Sequence, residues 1–506
     1  MSAASGSVPE TTTDDAMAYD GTWESVSTHP LPQWYDDAKL GVFLHWGLYS
    51  VPGWGPQVGD IQQLLHDEGP AGMLKNNPYA EWYRNTMQIE GSPTQIHHDQ
   101  TYGKDFPYDG FIPAFNAGAN AADLDAISDL CASAGAKYVV LTTKHHEGFR
   151  LWPSALPNPN KGLYNAERDI VGDMSASVRS HGMRMGLYYS GGYDWPFNGA
   201  VLKRPADAML AVPVSKDYVD YATAQVRELI DAYSPDVLWN DVAWPPGGNL
   251  ADLFAYYYNH VPDGVINDRW IEPSGRRNVV SDALTRAAGD LIQLMWKHIP
   301  DDDKKLTFPG ANWYDFNTPE YAVFHDIQAK KWEATRGVGH SFGANRNERP
   351  QDIVTTTELV RLLVDVVSKN GNLLIGIGPD EHGRIVPEQQ APLRGLGAWM
   401  ADNGKTIYGS RPWTTPEATT SEGTDVRLWQ NDGEVYAALL DLPGARTFTL
   451  RGIDGRSVDD VHIVGSRAKV GVGERDGLVE ISLPERVPVE PAYVLRLGRD
   501  VRVTHG

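Results

Sequence analysis

The stretch Leu40-Gly41-Val42-Phe43-Leu44-His45-Trp46-Gly47 is a short, continuously apolar run that stops on a histidine and a tryptophan. An apolar run without polar alternation suits a strand covered on both faces, as in a parallel sheet flanked by helices. Counterparts recur down the chain at Tyr138 to Thr142, Met185 to Tyr189, Val237 to Trp239, Val265 to Ile266 and Leu373 to Ile377. Helical patterns separate them. Leu124, Ile127, Leu130 and Cys131 share one face, as do Tyr218, Ala222, Val226, Leu229 and Tyr233, and again Leu359, Leu362, Leu363, Val366 and Val367. The last of these closes at Asn370-Gly371, a good C-terminal stop. The alternation predicts an α/β fold, a (β/α)8-like TIM barrel with long loops. A doubly wound open sheet is the alternative, weakened because no Gly-rich dinucleotide or phosphate loop follows an early strand.

Beyond Gly409 the texture changes. Arg427 to Trp429, Val435 to Leu440, Thr447 to Leu450, Val461 to Val464 and Tyr493 to Leu497 read as short strands between Gly, Asp and Pro signals, with Asp432-Gly433 as a hairpin turn. The expected organisation is a disordered leader at 1–20, a barrel domain at 21–409 and a C-terminal antiparallel β-sandwich at 410–506 that packs on the barrel. The leader reading rests on a Ser-, Thr-, Ala- and acid-rich start with no basic segment followed by an apolar one.

With 66 acidic against 44 basic residues, a net charge of −22, the chain repels phosphate backbones and anionic lipid, so neither nucleic acid nor membrane is an expected partner. No stretch reaches the roughly 18 apolar residues of a bilayer span. The single cysteine, Cys131, lies in an apolar helical pattern and cannot form an intramolecular disulfide, which fits a reducing cytoplasm.

The strand ends carry the chemistry. One run ends in His45 and Trp46, another in His145 and His146 within Lys144-His145-His146-Glu147-Gly148-Phe149, a third in Tyr188 and Tyr189, and two more in Trp239-Asn240-Asp241 and Asn267-Asp268-Arg269-Trp270. In a barrel these C-terminal ends form the active face. Adjacent histidines on an extended chain diverge, and neither an i,i+4 His pair nor a Cys cluster is present, so no metal and no cofactor are expected. A G-x-S-x-G elbow is missing too. What remains is a pocket of imidazoles, rings and carboxylates, which suits glycosidic bond cleavage.

These motifs, together with Trp34 to Pro52, Ser341-Phe342-Gly343, Gly371-Asn372-Leu373-Leu374 and Asn403-Gly404, resemble the family 29 glycoside hydrolases, the α-L-fucosidases, and their bacterial branch in particular. The resemblance runs from about Trp34 to Gly409. It implies a retaining exo-α-L-fucosidase acting on fucosylated oligosaccharides or glycosides, with Asp241 as nucleophile. Glu320, in Asp315-Phe316-Asn317-Thr318-Pro319-Glu320-Tyr321, matches the acid/base, with Glu333 and Glu81 as competitors; Glu333 reads as structural, in an amphipathic stretch. His45, Glu81, Trp82, His145, His146, Tyr188 and Trp239 match sugar-contacting positions, Arg269 would hydrogen-bond near the ring or the nucleophile, and Phe342 would pack on the fucose methyl group. Homo-oligomers are expected by analogy.

His97 and His98 read as surface or structural residues in a polar loop, and Pro196 to Pro213 as a long connection, either a loop near the aglycone site or a subunit contact. Ala344, where the family often has an aromatic residue, would widen the pocket rim, and Lys405 stands where an acid is frequent. The alternatives are a glycosidase of a related sugar such as an α-L-galactoside, or a fucose-binding protein without turnover.

Overall fold

The computed structural model describes residues 19–273, 277–301, 304 and 310–504. Most of the expected leader, residues 1–18, lies outside them. Seven parallel strands form the larger sheet: β1 Leu40–Leu44, β2 Tyr138–Lys144, β3 Arg184–Ser190, β4 Val237–Asp241, β5 Val265–Ile266, β6 Trp332–Gly337 and β7 Gly371–Ile377. Their order is β5-β4-β3-β2-β1-β7-β6. The sheet curls, and the gap between its two edges is bridged by the segment around Asp315 to Glu320. Asn267 pairs with Phe316, Asn317 with Trp332 and Glu320 with Thr335 through isolated parallel bridges. The eighth barrel position is therefore an irregular stretch, and it carries Glu320.

Alternation along the strands divides the core. Phe43, Val140, Tyr188, Trp239 and Leu374 turn inward and pack together with Phe316 and Phe342. Their neighbours Val42, Leu44, Leu141, Leu187, Leu238 and Ile375 face the surrounding helices. Gly41 is fixed by this packing, because a Cβ there would lie 2.4 Å from the ring of Tyr138. The helix Thr356–Ser368 shows how the outer layer forms: Thr355 caps it reciprocally with Glu358, and Leu359, Leu363, Val366 and Val367 face the sheet. It stops where Asn370 takes a left-handed φ of 75°.

Strand β6 corrects the sequence reading of Lys331 to Glu333 as an amphipathic stretch. Trp332–Gly337 is a strand, almost wholly buried, despite its Glu and Arg. Tertiary pairing with β7 overrides the local composition.

Eight more strands follow: β8 Arg411–Thr419, β9 Asp425–Asn431, β10 Glu434–Leu439, β11 Thr447–Asp454, β12 His462–Ile463, β13 Gly471–Arg475, β14 Leu478–Ser482 and β15 Tyr493–Gly498. They make an antiparallel five-stranded sheet, β12-β15-β10-β9-β8, and a three-stranded one, β11-β14-β13. Leu428, Val435 and Leu495 of the first share a core with Phe448, Leu450 and Ile481 of the second, which makes a sandwich. Its other face meets the barrel: Trp429 donates to the Thr406 carbonyl at 2.7 Å, and Ala438 and Val494 join the large core.

Candidate active site

Parallel pairing of β3 with β4 sets Tyr188 opposite Trp239 and Ser190 opposite Asp241. The carboxylate of Asp241 is held from three directions. Oδ2 accepts from the Tyr188 hydroxyl at 2.8 Å; Oδ1 accepts from Arg269 Nη1 at 2.9 Å and from the Val242 backbone N–H at 2.8 Å. Val242 takes a φ of 68°, a conformation that costs a β-branched residue on the order of 1–3 kcal/mol and that accumulates at functional sites.

Arg269 is the hub. Its Nε donates to Thr318 Oγ1 at 3.0 Å and its Nη2 to the Thr318 carbonyl at 3.1 Å, so the bridging segment fixes it. Nη2 also lies 2.9 Å from Glu320 Oε2. One guanidinium thus joins the carboxylates of Asp241 and Glu320. Burial works against its charge, but Glu320, Asp241 and Asp268 more than offset that, and its pKa is raised. The other oxygen of Glu320 accepts from the Tyr79 hydroxyl at 2.7 Å.

The histidines depart from expectation in one respect. His145 and His146 do not diverge: their ring centroids lie 4.0 Å apart at 31°. Strand β2 has ended at Lys144, and the chain turns through Gly148 at φ 77°, so the alternation of an extended strand no longer applies. His146 shares a hydrogen bond with Ser190 Oγ at 2.7 Å and brings Nε2 to 3.8 Å from Asp241 Oδ2. Its pKa is well below the ordinary value, first through burial and then through His145, Lys144 and His45; that of His45 falls likewise through burial, His145 and Arg269. Both rings are neutral at neutral pH and offer one donor and one acceptor each to a hydroxyl-rich ligand. Nδ1 of His45 and of His145 finds no hydrogen-bond partner among the described residues. Ligand atoms of His145, His146 and Asp241 do fall within 4.8 Å of one another, a spacing a metal would tolerate. Asp241, however, is already engaged by Arg269, Val242 and Tyr188, and the guanidinium beside it opposes a second cation.

Glu81 is buried and accepts from Ser341 Oγ and the Gly343 N–H, both at 3.0 Å, so it ties down the loop that presents Phe342; burial raises its pKa. Phe342 stands 5.0 Å from the His45 ring and 5.6 Å from Tyr79. Trp82 meets His146 edge-on at 5.2 Å. Ala344 is buried and lines an adjoining cavity with Asn345, Arg346 and Glu348. His97 and His98 sit in the helix Pro93–Thr101 and not in a loop: His97 stacks on Trp54, and His98 is buried between the Tyr83 hydroxyl and the Phe106 carbonyl. The segment Pro196 to Pro213 holds the helix Pro205–Leu210, from which Ala208 reaches the pocket.

Beneath the pocket floor lies Glu333, fully buried. It accepts from the Tyr35 hydroxyl at 2.9 Å, from the Tyr138 hydroxyl and from Trp239 Nε1 at 3.1 Å, and so steadies the ring over which Arg269 lies at 4.8 Å. Burial pushes its carboxyl up to about 7, against these donors, which favour the anion. A carboxyl raised in the folded state keeps a proton that the unfolded chain has released. Its contribution to stability is therefore complete below the unfolded value of 4.5 and is lost as pH rises towards 7. Glu333→Gln should gain on the wild type by roughly 2–3 kcal/mol between pH 5 and 8 in urea unfolding; a difference independent of pH would mean that Glu333 is ionised throughout.

All eleven residues named from the sequence line one pocket of about 150 Å³, and Phe43, Ile61, Leu74, Tyr79 and Val242 line it with them. Tyr79 escaped the sequence reading; the Asn77-Pro78 turn before it was the one local sign of an ordered loop. The bridging role of Arg269, and the hold of Thr318 on it, were not legible either.

Comparison with known proteins bears on the same pocket. A family described as Alpha-L-fucosidase matches residues 7–405. The α-L-fucosidase of Dictyostelium discoideum is 31% identical over 93% of this chain and 89% of its own length, and human tissue α-L-fucosidase 30% over 95% and 91%. Among solved structures, Thermotoga maritima α-fucosidase in complex with fucose is 36% identical with a TM-score of 0.77, covering 94% of this chain and 99% of that one. A structure of that organism's enzyme with a mechanism-based inhibitor aligns with a TM-score of 0.78 at 36% identity, over 95% and 100%. With a family match across most of its length and relatives 30–31% identical along nearly all of it, the chain belongs to the α-L-fucosidases of glycoside hydrolase family 29.

Proposed function

We propose that this α-L-fucosidase removes terminal α-L-fucosyl groups by double displacement, Asp241 attacking the anomeric carbon and Glu320 protonating the leaving oxygen, then activating water. The observation that carries this reading is the single guanidinium of Arg269 shared by the two carboxylates. Sharing one planar fork keeps them close, as the roughly 5–5.5 Å of a retaining enzyme requires, where an inverting pair needs room for water between them. Arg269 and Tyr188 also hold the Asp241 carboxylate in one orientation, while His45, His145 and His146 line the pocket for ring hydroxyls and Trp82 and Trp239 for the apolar sugar face.

The pocket volume of about 150 Å³ holds on the order of ten water-sized groups, which matches one deoxyhexose and no longer chain, hence terminal residues only. A buried lone cysteine fits a cytoplasmic setting, and no described helix is long and apolar enough to cross a membrane.

The test is turnover of 4-nitrophenyl α-L-fucoside followed by proton NMR in the first minutes. Retention delivers α-L-fucose before mutarotation; β-L-fucose appearing first would overturn the double displacement. Phe342, between Phe43, Tyr79 and His45, is the apolar wall for the sugar methyl. Phe342→Ala should reduce the preference for fucoside over L-galactoside in kcat/KM by about tenfold, within the 1–3 kcal/mol that one such contact supplies. An unchanged ratio would place the methyl elsewhere.

A further inference from the structure

The helix Val279–Met295 is turned inside out. Its apolar residues Val280, Leu284, Ala287, Leu291 and Leu294 recur at spacings of four, three, four and three, the seam of a helix that packs on another helix. Yet the seam faces solvent: Val280, Leu284, Leu291, Leu294 and Met295 are 50–78% exposed. The opposite side meets the protein. Gly289 packs so closely on the helix Pro205–Leu210 that a Cβ would lie 2.9 Å from the Ala206 nitrogen, and Gln293 accepts from the Ala71 N–H at 2.9 Å. A surface helix ordinarily shows its polar face to water and buries its stripe. Half of the large aliphatic side chains that stand exposed among the described residues lie on this one helix, and contiguous patches of several hundred Å² mark interaction sites.

We infer that a second copy of this chain covers the seam through the same helix, antiparallel about a two-fold axis between Ala287 and Ala288. The pattern is self-complementary in that arrangement. Leu284 meets Leu291 of the second copy and Val280 meets its Met295, while the small alanines at the centre permit close approach, as an isologous contact requires. A lipid surface is a poor alternative for a chain of net charge −22. One helix per copy supplies a large part of the about 800 Å² per partner that a stable pair buries.

The experiment is sedimentation velocity of the full chain at micromolar concentration, with Leu284→Asp/Leu291→Asp as the test and Leu163→Asp, an exposed leucine elsewhere, as control. Wild type and control should sediment as a dimer or an even multiple of it, and the double variant at half that mass with fucoside turnover within about twofold. Ala287→Cys should link two chains through a short bis-maleimide, since the native Cys131 is buried. A monomeric wild type overturns the inference, and so does a double variant that keeps the wild-type mass or an Ala287→Cys that fails to cross-link.

Discussion

Asp241→Ala is expected to lower kcat/KM on 4-nitrophenyl α-L-fucoside by on the order of 10⁴-fold or more, about 5.4 kcal/mol of barrier. The loss is chemical and not structural. Arg269 keeps Glu320 and Thr318 as partners, and Tyr188 stays stacked on Trp239 at 5.6 Å, so the pocket walls survive. What disappears is the carboxylate proposed to attack the anomeric carbon. Azide can enter the space vacated between the Arg269 and Tyr188 donors and attack from that side, inverting the centre once. Rescue by added azide with β-L-fucosyl azide as product is the expected result, read by NMR. A variant that retains a tenth of the wild-type rate, or one rescued to the α-azide, would remove Asp241 from the nucleophile's place.

The barrel was readable because its strands are buried on both faces and so are written as apolar runs, Leu40–Leu44 and Gly371–Ile377 most plainly. Strand β6 was not, because Glu333 is tolerated there only through Tyr35, Tyr138 and Trp239, hydrogen-bond partners 94 to 298 positions away in sequence. The same non-locality hid Tyr79, whose partner Glu320 lies 241 positions on. Local pattern also misjudged the paired histidines, since the divergence argued for them holds only while the strand continues. In the helix Val279–Met295 the seam is legible in the sequence, but only the structure tells which way it faces. Sequence, then, named the groups in the pocket, while the links between them needed the fold.

Those links matter most at Glu320, which the bridging segment places on Arg269 and Tyr79. An acid is needed in proportion to how poorly the leaving group departs. A dinitrophenolate leaves without help, whereas an alkoxide must be protonated as the bond breaks, a step worth about 10²–10⁴-fold. Glu320→Gln keeps the shape and the hydrogen bond from Tyr79 but has no proton to give. It should lower formation of the fucosyl-enzyme little with a 2,4-dinitrophenyl fucoside, and by about 10³-fold with methyl α-L-fucoside. The second step also slows, because no base activates water. Azide needs no such base; it should restore turnover of the activated substrate and yield the α-azide, because it attacks the ester already formed on Asp241. Equal losses on both substrates would instead make Glu320 a positioning group for Arg269, and Glu81→Gln, which removes an acid held on Ser341 and Gly343, would then be the next variant to compare.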